Sequence, residues 1–230
     1  MSNKVIVKDE YITLYDNGYC IVYDCSIKVM YSNEVKDKII DVYIENGVNC
    51  ISKQFFKNCK NMVSVNIPNS VTVIADGAFY GCSSLKRVYI PNSVIKIGTS
   101  VFAECTSLQN VLLSERLQTL NSECFKNCKN LTSVVIPDSV TSIYDRVFMG
   151  CNKLENVVIS ENATYIGEST FSGCKIHYLI IPKSVRMIGF NVFDKFSPTI
   201  VICKTEEIYR MLRSELYYTN NVYTTLIKDF

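Results

Sequence analysis

Apolar residues recur along this chain in fixed columns. Phenylalanine returns every 23 residues, at Phe56, Phe79, Phe102, Phe125, Phe148 and Phe171. Cysteine follows three residues later each time, at Cys59, Cys82, Cys105, Cys128, Cys151 and Cys174. Leucine, valine and isoleucine columns keep the same phase between them, with one residue deleted before Leu179. A fixed period of this length is typical of a repeat protein whose units bury their apolar faces by stacking.

The repeating unit predicts a short strand, a turn and a returning segment. Its consensus is L-x-x-V-x-I-P-x-S-V-x-x-I-x-x-x-x-F-x-x-C. The V-x-I stretch alternates with period two, which predicts a strand with one inward face. Proline then ends the strand because it has no N–H for the ladder, although Ser114 and Ser160 replace two of the prolines. The V-x-x-I segment is expected to return along the opposite side of the coil.

A tight left-handed bend is expected at the residue before each cysteine. These residues are Asn58, Gly81, Glu104, Asn127, Gly150 and Gly173. Glycine and asparagine tolerate positive φ better than other residues do. We therefore expect backbone strain at this bend only at Glu104.

The repeat resembles the BspA-like leucine-rich repeat. The stretch L-T-S-V-V-I-P-D-S-V-T-S-I at residues 131–143, with Phe148 and Cys151, shows the motif in full. The resemblance covers about residues 38 to 203 and implies a right-handed solenoid with a parallel sheet on one face, used for recognition. It also implies that many relatives are secreted or surface-attached adhesins.

The expected fold is an α/β-type repeat solenoid, mostly β, with a cap at each end, because open ends would expose core and strand edge. Residues 1–37 are predicted to form an N-terminal β cap, since Asn17-Gly18 separates two alternating runs and predicts a hairpin within residues 4–31. Residues 38–203 are predicted to form about seven repeats. Residues 204–230 are predicted to form a C-terminal cap, with an amphipathic helix over 206–218 and an apolar tail that docks.

Composition narrows the classes of function. The formal net charge of +2 is too small for the basic surface that a nucleic-acid-binding protein usually carries. No apolar run reaches the roughly 18 residues needed to insert into a membrane, and the first ten residues lack the apolar core of a signal peptide. The 11 cysteines, an odd number, favour reduced thiols and a cytoplasmic location. An extracellular location is expected instead if a leader has been removed.

The residues that could carry chemistry are few. The cysteine column favours a buried structural role, because cysteine packs as a small hydrophobe; a metal or disulfide role is the alternative. His177, the single histidine, is interpreted as a surface or strand residue. No phosphate-binding or dinucleotide motif and no activated nucleophile is recognisable. We therefore expect neither an enzyme nor a cofactor.

The outward positions of the V-x-I strands form the candidate site for a partner. Their middle residues are Tyr43, Asn66, Tyr89, Leu112, Val135, Val158 and Ile180. Beside them run Asp41, Ser64, Arg87, Asn110, Ser133, Asn156 and Tyr178. The last four middle residues are aliphatic, and an apolar stripe with a polar rim is typical of a protein-binding patch. We expect a protein or peptide partner, with an adhesin-like role outside the cell as the alternative; ordinary β propensity or coverage by the tail would also explain the stripe.

Overall fold

The computed structural model describes residues 5–8, 12–24, 31–193, 199–216 and 222–226. In chain order the strands are β1 (Val5–Lys8), β2 (Ile12–Tyr15), β3 (Tyr19–Val22), β4 (Asp41–Ile44), β5 (Cys50–Ile51), β6 (Ser64–Asn66), β7 (Val73–Ile74), β8 (Arg87–Tyr89), β9 (Lys96–Ile97), β10 (Asn110–Leu112), β11 (Thr119–Leu120), β12 (Ser133–Val135), β13 (Ser142–Ile143), β14 (Asn156–Val158), β15 (Tyr165–Ile166), β16 (Tyr178–Ile181), β17 (Met187–Ile188), β18 (Thr199–Cys203) and β19 (Val222–Leu226). The helices are α1 (Asn33–Lys38) and α2 (Glu206–Leu216).

The chain forms a mostly β solenoid, as the repeat pattern predicts. Each turn places one strand on a main face, from β4 through the even-numbered strands to β18. It places a two-residue strand on the opposite face, in the odd-numbered series from β5 to β17. Paired strands are parallel and lie one repeat apart, as with Ser133 opposite Asn156 and Ser142 opposite Tyr165. The predicted return of the V-x-x-I segment along the opposite side is thus confirmed. The described main face has eight such strands, since β18 continues the stack beyond the last full repeat.

The phenylalanine and cysteine columns form the centre of the core. Six successive pairs of phenylalanine rings, from Phe56 to Phe193, stack with centroids 5.2 to 6.1 Å apart and interplanar angles of 3 to 15°. Offset stacking at this distance is favourable for aromatic rings. The Sγ atoms of five cysteines each donate a hydrogen bond of 3.1 to 3.2 Å to the carbonyl oxygen of the phenylalanine 26 residues earlier. The predicted inward orientation of both columns is confirmed, and the thiols also join neighbouring turns.

The bend before each cysteine is left-handed, as predicted. The backbone φ is positive at all six positions, from 58° at Asn127 to 76° at Gly150. Glu104 is the single member of this column that is neither glycine nor asparagine, so the strain expected at this bend falls on it, as predicted. A second left-handed column, which the repeat pattern did not predict, lies four residues earlier. Its members are Gln54, Gly77, Ser100, Glu123, Arg146 and Ser169.

The second left-handed column has a cause in the next turn of the solenoid. The N–H of Ser100 donates to the carbonyl of Ser122 at 2.9 Å, and the N–H of Glu123 donates to the carbonyl of Asp145 at 2.9 Å. Each hydrogen bond offsets a strain of about 1 kcal/mol or more. The side chain plays little part in this, so the column carries no constant residue type.

The two serines that replace proline have a shared role. Ser114 and Ser160 are fully buried. The Ser114 hydroxyl donates to the Val94 carbonyl at 2.6 Å, and the Ser160 hydroxyl donates to the Val140 carbonyl at 2.7 Å. Each hydroxyl also accepts the backbone N–H two residues later. Serine side chains that bond to nearby backbone in this way stabilise turns, so the missing prolines are replaced by a hydrogen-bonded turn.

The ends of the stack are extended by additional strands and a helix. The strands β2 and β3 pair antiparallel around the Asp16-Asn17-Gly18 turn, and β3 pairs parallel to β4. At the other end, α2 buries Ile208 and Leu212, and β19 pairs parallel to β18. The structure thus contains a β2–β3 hairpin and pairs β19 with β18, while the two caps to which they were assigned stay predictions. The remainder of the predicted cap at 9–11 and 25–30, and residues 217 and 218 of the predicted helix, lie outside the described residues. The boundaries at residues 37 and 203 stay predictions.

Candidate binding face

An aliphatic stripe crosses the main sheet where the sequence predicted it. We use this name for Leu112, Val135, Val158 and Ile180, which lie in β10, β12, β14 and β16. Their exposed fractions are 59, 62, 57 and 38%. The residues on either side of each of them point inward because successive side chains of a strand alternate between its faces. Four aliphatic side chains thus face solvent on four consecutive turns.

The rest of the predicted column continues toward the N-terminal end. Asn66 and Tyr89 are exposed, while Tyr43 is half-buried. The flanking residues Arg87 and Tyr178 are also exposed. So are the other flanking residues, Asp41, Ser64, Asn110, Ser133 and Asn156. The structure therefore brings all nine predicted partner-binding residues to one face, with the aliphatic part confined to the C-terminal half.

The tail of the chain leaves this stripe uncovered in the described residues. The strand β19 extends the sheet sideways, beyond β18, and does not lie across its face. Leu112, Val135 and Val158 are highly exposed although β19 and α2 are present at this end of the stack. The described part of the tail therefore does not cover the stripe.

The structure adds residues that the repeat pattern did not predict. In β18, Ile200 lies opposite Tyr178 and Ile202 opposite Ile180, so they extend the apolar surface by one strand. Ile200 is 47% exposed. The five residues of β18 are Thr-Ile-Val-Ile-Cys. Because four of them are apolar, the alternation of polar and apolar residues gave no sign of which face would be exposed.

A pocket opens on the main face between β14 and β16. It has a volume of about 240 Å³ and is lined by Val157, Val158, Ile159, Glu161, Tyr178, Ile180 and Pro182. It lies where the repeat is one residue shorter, and β14 and β16 belong to separately hydrogen-bonded sheets. Sites for whole small molecules usually measure about 300–1,000 Å³. The pocket is therefore the right size for a single side chain of a partner.

The cysteines offer little chemistry in the native fold. The ten cysteines of the described residues are free thiols, and nine of them are buried. Burial raises the pKa of the Cys59 thiol to about 12 and that of Cys203 to about 11. A thiol with a raised pKa is a poor nucleophile at neutral pH, because the thiolate is the reactive form. Within the described residues, no three His, Cys, Asp or Glu side chains come together as a metal site.

His177 is exposed, and its carbonyl accepts the Ile200 N–H at 2.9 Å.

Comparison with protein families gives one match. The sequence matches the BspA type leucine rich repeat region in six copies, over residues 30–155 and 118–228. No curated protein matches the sequence.

Solved structures of bacterial leucine-rich repeat proteins share the fold. A leucine-rich repeat protein from Bacteroides ovatus is 22% identical with a TM-score of 0.62, over 96% of this chain and 64% of that one. One from Eubacterium ventriosum is 26% identical with a TM-score of 0.63, over 84% and 50%. A leucine rich cell surface protein from Faecalibacterium prausnitzii is 24% identical with a TM-score of 0.50, over 84% and 62%. This chain spans between half and two thirds of the length of these three proteins.

Proposed function

The chain belongs to the BspA-type leucine-rich-repeat family, and from that premise we propose that it is a non-catalytic module that holds a protein or peptide on the exposed face of its main sheet. The family suggests protein interaction or surface binding, and repeat proteins of this fold are generally not enzymes. Neither helix of the described residues has the length and apolar character needed to cross a bilayer.

The aliphatic stripe is the observation that carries this proposal. Exposed apolar side chains are common singly, but a contiguous row with a polar rim is typical of an interface. Ordinary β propensity explains one exposed valine in a strand, yet Leu112 has no such preference and is 59% exposed. The pocket beside Val158 and Ile180 adds a place where one partner side chain becomes fully desolvated, which is where binding energy concentrates.

Replacing Leu112 and Val158 together by aspartate is expected to abolish partner capture and to leave the fold intact. Both side chains face solvent in the free protein, so the carboxylates cost little there. In a complex they would be buried without partners, at about 1–3 kcal/mol or more each, which together weaken binding by about a hundredfold or more. The measurement is affinity capture from native lysate followed by mass spectrometry, with circular dichroism to check the fold.

The opposite face of the solenoid provides a matched control. Ile95 and Met187 are 46 and 57% exposed near and on the two-residue strands, so Ile95→Asp with Met187→Asp makes the same chemical change away from the stripe. This control is expected to capture what the wild type captures. If the stripe variant retains those partners as well, the main face is not the binding face.

We also propose that the protein works in a reducing compartment, the cytoplasm. The odd number of cysteines and the hydrogen-bonded thiol column support a reduced state. The alternative, an extracellular adhesin-like protein, is favoured by the cell-surface description of the Faecalibacterium chain. At 24% identity that likeness concerns the fold alone.

Thiol counting and cell fractionation separate the two locations. Protein from its native cells, alkylated at once and then unfolded, is expected to show 11 alkylatable thiols without a reductant and to fractionate with the soluble cytoplasmic pool. Recovery from the cell surface or the medium would instead favour the adhesin-like role.

A further inference from the structure

A row of carboxylates follows the three strands that carry Leu112, Val135 and Val158. Glu115, Asp138 and Glu161 are exposed and lie one per turn, in the bend that follows each strand. Each follows a stripe residue by three positions, as Glu115 follows Leu112. We call these three residues the acidic row. In the preceding turn the same position is Asn92, and in the following turn it is Lys183. At this position, the turns that carry Leu112, Val135 and Val158 are acidic and the turns on either side of them are not.

Most of these carboxylates form no ion pair with other residues of the described chain. In the described part of the chain, neither Glu115 nor Asp138 forms a salt bridge, and Glu161 has only Lys204, with Nζ 3.9 Å from Oε1. One oxygen of Asp138, Oδ1, accepts the Glu161 backbone N–H at 2.8 Å. The row also opposes the overall charge of the protein, which is +2. A local concentration of one sign beside an apolar surface attracts and orients a partner of the opposite sign.

The pocket connects the acidic row to the stripe. Glu161 lines it together with Val158, Tyr178 and Ile180. A partner side chain in this pocket would therefore place its neighbouring residues beside a carboxylate. Strands lie about 4.8 Å apart, so the row from Glu115 to Glu161 extends about 10 Å, which is about the span of residues i and i+3 in an extended segment.

We infer that the partner is a cationic polypeptide segment, with a large aliphatic or aromatic side chain in the pocket and lysine or arginine residues along the acidic row. This inference rests on the proposed function, to which it adds the chemistry of the partner. An acidic segment is disfavoured because its carboxylates would meet Glu115 and Asp138 on the same edge.

The test is selection of binders from a random peptide library displayed on phage, with the whole chain as bait. Selected peptides are expected to be rich in lysine and arginine next to a leucine, isoleucine or phenylalanine. One selected peptide is then labelled, and its affinity for three variants is measured by fluorescence anisotropy at low and high salt. The acidic-row variant combines Glu115→Gln, Asp138→Asn and Glu161→Gln. The second variant, its charge-matched control, combines Glu34→Gln, Asp37→Asn and Glu207→Gln. The third variant changes the stripe, with Leu112→Asn and Val158→Asn.

The three variants distinguish a failure of the inferred partner chemistry from a failure of the proposed binding function. The acidic-row variant is expected to bind about tenfold more weakly at low salt and to lose most of its salt dependence, because three exposed charge pairs disappear. The second variant has the same net charge but keeps the acidic row, and is expected to bind like the wild type. Binders that depend on the stripe but are not cationic, or that bind the acidic-row variant equally well, would overturn the inference and leave the proposed function standing. Binders indifferent to Leu112→Asn with Val158→Asn, or no binders, would overturn both.

Discussion

Val134→Asp is expected to unfold the protein or to remove most of its stability. Val134 is 3% exposed and lies in the middle of β12, where its side chain faces the core. An aspartate there would place a carboxylate among apolar side chains with no cation to pair with, which costs several kcal/mol even after relaxation. The free energy of unfolding of a typical domain is only about 5–15 kcal/mol, so this substitution would remove a large part of it. The measurement is urea denaturation followed by circular dichroism.

The next residue in the chain supplies the control. Val135 is 62% exposed on the same strand, and Val135→Asp makes an identical chemical change one position away. Its expected effect on stability is within about 0.5 kcal/mol, as for most surface substitutions. Equal losses at the two positions would show that the strand does not alternate as described, and the binding face would then be assigned wrongly.

Phe125→Ala is expected to cost about 3–5 kcal/mol of stability through a cavity in the centre of the stack. The Phe125 ring is fully buried between those of Phe102 and Phe148, at centroid distances of 5.5 and 5.6 Å. Removing it forfeits both ring contacts as well as the burial of its own surface. Neighbouring turns are held apart by their backbone hydrogen bonds, so the space cannot close easily. Urea denaturation measures the loss from the change in midpoint at constant slope.

An exposed phenylalanine provides the comparison for this cavity. Phe190 is 71% exposed, so Phe190→Ala removes the same ring without opening a cavity and is expected to change stability little. Benzene, which fits apolar cavities of ring size, is expected to raise the melting temperature of Phe125→Ala and not that of Phe190→Ala. A loss below about 1 kcal/mol at Phe125 would mean that the ring does not pack as described.

A strand, helix or turn was predictable wherever the residues that determine it lie within one repeat of the sequence. The hairpin of β2 and β3 follows from Asn17-Gly18 between alternating runs, and α2 follows from the spacing of Ile208 and Leu212. The left-handed bend before each cysteine was predictable where the residue is glycine or asparagine. Its companion at Ser100 and Glu123 was not, because serine and glutamate rarely adopt positive φ and gave no sign of a left-handed bend.

The candidate site divides in the same way. The exposure of Leu112, Val135 and Val158 follows from their position in the V-x-I alternation, which is a property of each strand alone. The pocket between β14 and β16 depends on how the shortened repeat packs on its neighbour. The share of Ile200 in the apolar surface depends on the pairing of β18 with β16. The pocket and the position of Ile200 both depend on contacts between neighbouring turns, so they cannot be inferred from the sequence of one repeat.

By itself the sequence determined the period, the inward columns and the face on which the stripe lies, because the alternation of side chains in a strand is set by backbone geometry within a few residues. Tertiary structure alone decided that the thiols bond to the carbonyls of the preceding turn, that Ser114 and Ser160 can replace proline, and that β19 pairs beside β18 and does not lie across the stripe. Each of these depends on groups 20 or more residues apart. Their distances become defined only when the turns are stacked.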